Sequence, residues 1–142
     1  MKWPLMSDEE LHAFGIDIIL PFLKKEGVTV EAVNRDPKLT TQIIGQRWGS
    51  LAYIYVRTAM LPNMGSLTET QFMHGLGWAD SHRATAFFAS VGLICTDFPD
   101  KSPVTNDADS RLPIRHGGFM ANYKGLVVMM TSDRVRVMGQ SD

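Results

Sequence analysis

The sequence predicts an α/β (α+β) domain built on a central mixed sheet flanked by helices. Three observations carry that expectation. Residues 50–58, SLAYIYVRT, run aromatic and β-branched side chains together over strand length and follow a strand-like run at 40–47 across the Trp48-Gly49 dipeptide, so 40–59 reads as a β-hairpin. Residues 84–96, ATAFFASVGLICT, are almost uniformly apolar at strand length, the pattern of a strand covered on both faces. Between these stretches a capping-box pattern opens a helix long enough to cross from one strand to the next.

Length and composition bound the answer. At 142 residues the chain suits one domain with its own core, and 44% hydrophobic against 20% charged residues excludes wholesale disorder. A formal net charge of -1 supplies no general attraction for nucleic acid or anionic membrane, although a local basic patch stays open. No apolar run approaches the roughly 18 residues of a membrane span. The start, MKWPLMSDEEL, lacks an apolar core and soon turns acidic, which is not a secretory signal. The expectation is a bacterial-type, cytoplasmic protein. Cys95 is the single cysteine, so no internal disulfide can form, and its apolar surroundings predict a buried small hydrophobe rather than a nucleophile.

The elements follow in order. Ser7-Asp8-Glu9-Glu10 has the form of a capping box, and Leu11, Phe14, Ile18 and Phe22, with Ile19 and Leu23 beside them, recur at helical spacing toward a core. Gly27 supplies a stop. This predicts a helix over 8–26, with Pro21 kinking it or breaking it into two pieces. Residues 28–33 fit a short strand, and Arg35-Asp36-Pro37 a turn. After the hairpin, Ser66-Leu67-Thr68-Glu69 predicts a cap on a helix over 66–83, with Leu67, Phe72, Leu76 and Ala79 facing the core. Gly75 and Gly77 weaken that helix and mark a close contact. Residues 97–118, with three prolines and little apolar content, predict a long, mobile surface loop. A final strand is expected over 119–130, and Val135 and Val137 offer a short edge strand in the tail 132–142.

The order of helix, hairpin and crossover helix, with a second hairpin strand reading Ile54-Tyr55-Val56-Arg57, resembles the core of the PD-(D/E)XK nuclease superfamily, the restriction-endonuclease-like fold, over about residues 8–96. The resemblance implies an acidic residue on the first hairpin strand, and an acidic residue and a lysine two positions apart on the second. That spacing puts both side chains on one face of the strand, where carboxylates hold a divalent cation and the lysine orients water. Here the expected positions fall on Gln42, Tyr55 and Arg57. Tyrosine and glutamine do not replace carboxylates for a hard cation, and arginine is a poor substitute for a compact ammonium. The resemblance therefore implies a degenerate site, without metal or cofactor and without assigned catalytic residues.

Other candidates weigh less. Asp36-Pro37, with Glu31 or Glu10 as helper, is better explained by turn chemistry, and Glu9 and Glu10 by capping. His12, His74, His82 and His116 lack metal-ligand spacing, and Gly75-Leu76-Gly77 lacks the third glycine and preceding strand of a dinucleotide site. Tyr53, Tyr55 and Arg57 alternate onto one face of the strand. Covering the exposed side of the sheet, with the arginine paired to an acidic loop residue, is the simpler reading; the functional one is a pocket of Gln42, Tyr53, Tyr55 and Arg57 that grips a small anion, with His116 and its neighbours Arg115, Gly117 and Gly118 closing over it. The leading expectation is a non-enzymatic binding or interaction module that self-associates through an exposed sheet edge near its last strand and takes a protein partner or small anion, not a membrane. The alternatives are a metal-dependent nuclease with ligands relocated to Glu10 and Asp36, or an anion-binding protein using the Tyr55 and Arg57 face.

Overall fold

A computed structural model describes residues 3–38 and 41–131. The first helix, α1 (Asp8–Lys25), begins as its capping box requires: the Ser7 hydroxyl accepts from the Glu10 N–H at 3.1 Å, and the Glu10 carboxylate accepts from the Ser7 N–H at 3.2 Å. Gly27, at φ 81°, turns the chain out of the helix. Pro21 neither breaks the helix nor divides it, and it is exposed, on the side where water can replace the missing backbone donor. The buried line differs from the expected stripe. His12, Gly15, Ile16, Ile19 and Leu23 face inward, whereas Leu11, Phe14 and Ile18 are half-buried and Phe22 is 44% exposed. Gly15 explains the rotation: a Cβ there would lie 1.7 Å from Thr58 Oγ1, so only glycine lets the helix settle this closely on the sheet.

The sheet has β1 (Val28–Val33), β2 (Ile43–Arg47) and β3 (Ser50–Met60) as an antiparallel meander, then α2 (Glu69–Ser81) as the crossover to β4 (Thr85–Asp97), which runs parallel to β3. The hairpin turn is Trp48-Gly49, with φ of 53° and 79°, the left-handed pair that a two-residue hairpin needs. Helix α1 packs on one face through Ile16, Ile19 and Leu23 against Ile43, Ile54, Val56, Phe87, Val91 and Leu93. Helix α2 covers the other through Leu76 and Ala79 against Tyr53, Tyr55 and Ala86. Strand β4 is thus covered on both faces, as its apolar sequence predicts.

Three expectations change. Thr68, not Ser66, caps α2: its hydroxyl accepts from the Gln71 N–H at 3.1 Å and the Gln71 amide oxygen accepts from the Thr68 N–H at 3.0 Å. Both tetrads have the capping form, and the one whose register places Leu76 and Ala79 on the sheet prevails. The segment 98–117 is folded back onto the domain rather than loose. It carries a short helix, α3 (Asp107–Ser110), a bridge between Asp97 and Pro103, another between Leu5 and Ile114, and the fully buried Ile114 as its anchor. The last strand is split into β5 (Gly118–Asn122) and β6 (Val127–Val128), both antiparallel to the outer edge of β4.

Between the two pieces, Gly125 adopts φ 101° and the carboxylate of Glu26 reaches across from the end of α1. It accepts from the Tyr123 hydroxyl at 2.6 Å and from the Leu126 N–H at 2.7 Å. Burial, then the adjoining carboxylate, raises the Tyr123 phenol far above its ordinary range. Thr40 and the edge strand expected at Val135 and Val137 lie outside the described residues.

Past the end of β3 the chain returns over the sheet at Gly65, where an added Cβ would lie 1.8 Å from the Arg57 carbonyl oxygen, a backbone atom with no room to yield. Gly65→Ala is expected to destabilise the domain by about 2 kcal/mol, read as a lower urea midpoint at unchanged slope.

Candidate functional site

The sheet opens at one place. The ladder between β2 and β3 ends at the Ile43 and Ile54 pair, and β2 departs just before it at Gln42. The Gln42 N–H still reaches the Ile54 carbonyl at 3.3 Å, and its side chain then takes over the pairing. The amide oxygen accepts from the Val56 N–H at 2.9 Å and from Arg57 Nη1 at 3.1 Å. Gln42 is 1% exposed, so this side chain works as an internal extension of the strand. Arg57 Nη1 also donates to the Val56 carbonyl at 2.8 Å. The two acceptors fix the guanidinium without neutralising it, and among the described residues no carboxylate forms an ion pair with it.

Arg57 faces a cavity of about 280 Å³ lined by Asp8, Leu11, His12, Pro37, Thr58 and Gln71 as well. Four segments meet there: the first turns of α1, the turn after β1, the C-terminal end of β3 and the N-terminal turn of α2. Two of its lining residues carry a buried polar atom without a hydrogen-bond partner among the described residues, His12 Nε2 and Thr58 Oγ1, the latter lying against Gly15 of α1. Burial holds the His12 imidazole below its ordinary range, the Arg57 guanidinium adds to the effect, and Asp36 partly offsets it. Burial likewise lowers Arg57, yet an arginine remains charged at any physiological pH. The Gln71 amide oxygen is held by its capping box, which leaves the amide NH₂ as its remaining donor. The result is a fixed cation, the Asp8 carboxylate and the Gln71 amide around a space with apolar walls at Leu11 and Pro37.

The expected site is brought together only in part. Gln42 and Arg57 do meet. Tyr53 and Tyr55 do not join them, because α2 runs back over β3 and covers both rings. Tyr55, 2% exposed, donates its hydroxyl to the Gly75 carbonyl at 2.6 Å, and Tyr53 packs near His82 at 5.6 Å between ring centres. The simpler reading, an exposed sheet face with the arginine on an acidic loop residue, changes too: both rings are buried under α2, and among the described residues no carboxylate forms an ion pair with Arg57. Gly75 permits the contact, since a Cβ there would already lie 3.2 Å from the Tyr55 ring; Gly77 has open space and needs no such account. His116 is exposed at φ 64° and does not line the cavity. Arg115 is not a lid either: its guanidinium holds the Glu10 carboxylate, with Nε to Oε2 at 3.0 Å, and its N–H donates to the Pro4 carbonyl.

The relocated-ligand arrangement also fails to assemble. Glu10 is engaged by Arg115, which holds its carboxyl below the usual range, and Asp36 accepts from the Lys38 N–H at 2.9 Å. Both line one depression with Arg35 and Lys38, which adjoins the Arg57 cavity at Pro37 without including Arg57. Among the described residues no three acidic, histidine or cysteine side chains group as metal ligands. Cys95 is buried, its thiol donating toward the Asp97 carbonyl at 3.3 Å and pushed up by burial, which fits a packing role.

Sequence reasoning missed His12 and Thr58 as site residues. The available signal was Asp8, His12 and Gly15 at helical spacing, a face of α1 that comes inward once Gly15 is read as a contact glycine.

With the geometry established, comparison with known proteins adds a family and no activity. Residues 9–129 match the model of a domain of unknown function, DUF8840, and the chain belongs to that family. No curated protein and no solved structure matches it. Among the described residues, no helix is long and apolar enough to cross a membrane.

Two stability measurements follow. Gln42→Leu removes the acceptor for the buried Val56 N–H and is expected to lower unfolding free energy by about 2 kcal/mol in chemical denaturation. Because His12 is depressed in the folded state, the unfolded chain binds its proton more readily. Its share of stability is complete above about pH 6.5 and declines as pH falls below that, at no more than about 1.4 kcal/mol per pH unit. His12→Gln should flatten that part of the stability profile.

Proposed function

We propose that this chain is a ligand-binding module whose cavity at the C-terminal end of β3 takes a small molecule through an oxyanion held by Arg57. The observation that carries the reading is a half-buried guanidinium held by neutral backbone and amide acceptors, with no ion-pair partner among the described residues, on a cavity whose other charged lining residue is Asp8. A buried charge without a counter-ion is costly, and a bound anion supplies the compensation. A restriction-endonuclease-like core, with its active positions degenerate, is the fold reading that accompanies it. Its support is the order helix, three antiparallel strands, crossover helix and parallel fourth strand. The positions where that superfamily carries carboxylates hold neutral groups engaged in the fold, Gln42 on the Val56 N–H and Tyr55 on the Gly75 carbonyl. This favours binding over metal-assisted cleavage.

Calorimetric titration with sulfate tests the reading. Arg57→Met, which keeps the aliphatic stem and removes the charge, is expected to weaken binding about tenfold to a hundredfold, the worth of one or two charge-assisted hydrogen bonds. His116→Ala should bind as the unaltered protein does. Equal sulfate affinity with and without Arg57 would overturn the assignment.

A further inference from the structure

The cavity holds a second nitrogen that the fold leaves without a partner. His12 is 9% exposed and lines the same space as Arg57, with its Nε2 unpaired within the described protein. The charged groups around it come from three segments: Arg57 on β3, Asp36 in the turn after β1, and Asp8 one turn earlier on α1; α2 contributes only the uncharged Gln71. In the empty cavity a second positive charge beside Arg57 is disfavoured by burial and by repulsion. An oxyanion on Arg57 reverses the local field, so the same imidazole becomes easier to protonate.

The donors also approach from different sides. Arg57 keeps Nε and Nη2 as its remaining donors, its Nη1 being occupied, while His12 and the Gln71 amide NH₂ stand on α1 and α2. A planar carboxylate offers two oxygens in one plane; a tetrahedral group offers three terminal oxygens in separate directions. The cavity exceeds a bare ion, with Leu11 and Pro37 as apolar wall. Asp8, which would repel a free anion, suits a hydroxyl or amine donor on an attached organic part. Building on the reading of this cavity as an oxyanion site, we propose that it binds the divalent phosphate of a small organic phosphomonoester together with one proton taken up on His12.

Sulfate, which does not titrate near neutrality, isolates the proton. Titrations at about pH 7 in two buffers of different ionisation enthalpy should show close to one proton taken up per sulfate. Affinity should fall as pH rises, by up to about tenfold per unit. His12→Gln should lose both effects. On the unaltered protein, the ¹⁵N shifts of the His12 ring should move toward the imidazolium form as sulfate is added, a readout independent of how that variant folds. Phenyl phosphate should bind more tightly than inorganic phosphate. Sulfate binding that depends on Arg57 but carries no proton and no pH dependence overturns the coupling and leaves the anion site standing. Phenyl phosphate no tighter than inorganic phosphate, or acetate binding as well as sulfate, overturns the ligand class. No sulfate binding at millimolar concentration removes both this inference and the site beneath it.

Discussion

The site depends on how the sheet ends between β2 and β3. Two strands that part leave a row of backbone groups that must find partners or water. Here one side chain resolves the parting: the Gln42 amide oxygen takes the N–H that the next residue of β2 would otherwise have met. The same oxygen accepts from Arg57. Terminating the ladder and aiming the cation are therefore one arrangement. A residue at position 42 without an acceptor would disturb both, and a carboxylate there would neutralise the guanidinium that now faces the cavity.

Much of the fold was legible because its signals are local. The Trp48-Gly49 turn, the Ser7 capping box and the doubly covered β4 each follow from a few adjacent residues with a mechanical reason to behave as they do. The errors share a cause as well. The choice between Ser66 and Thr68 as cap, the rotation of α1 and the anchoring of 98–117 by Ile114 are decided by contacts across the sheet, and nothing in a short window expresses those. The candidate site shows the same division. Gln42 and Arg57 sit on adjacent strands of a recognisable hairpin. Tyr55 shares a strand face with Arg57, but which part of that face α2 covers depends on where the crossover lands.

Membership of a family of domains without an assigned function shifts the argument onto this geometry. What the fold offers is chemically narrow: a permanently charged guanidinium held by neutral groups, an imidazole that burial makes harder to protonate, and a hydroxyl without a partner among the described residues, all at a junction of four segments. Such a junction suits recognition, because its polar groups are carried by separate elements of the fold, Arg57 on β3, His12 on α1 and Gln71 on α2. Two neighbouring acidic side chains are committed elsewhere, Asp17 to Arg35 and Glu10 to Arg115, which leaves Asp8 as the carboxylate that shares the cavity lining with Arg57.

The reach of Glu26 to the interrupted edge strand ties together parts of the chain about a hundred positions apart. A carboxylate at the C-terminal end of a helix opposes the helix dipole, and here that penalty is offset by the Tyr123 hydroxyl and the Leu126 amide. Detaching the β5 and β6 edge would return the carboxylate, uncompensated, to the end of α1. Edge and helix terminus are consequently coupled: opening the connection between β5 and β6 also strips the end of α1 of the two donors that Glu26 holds.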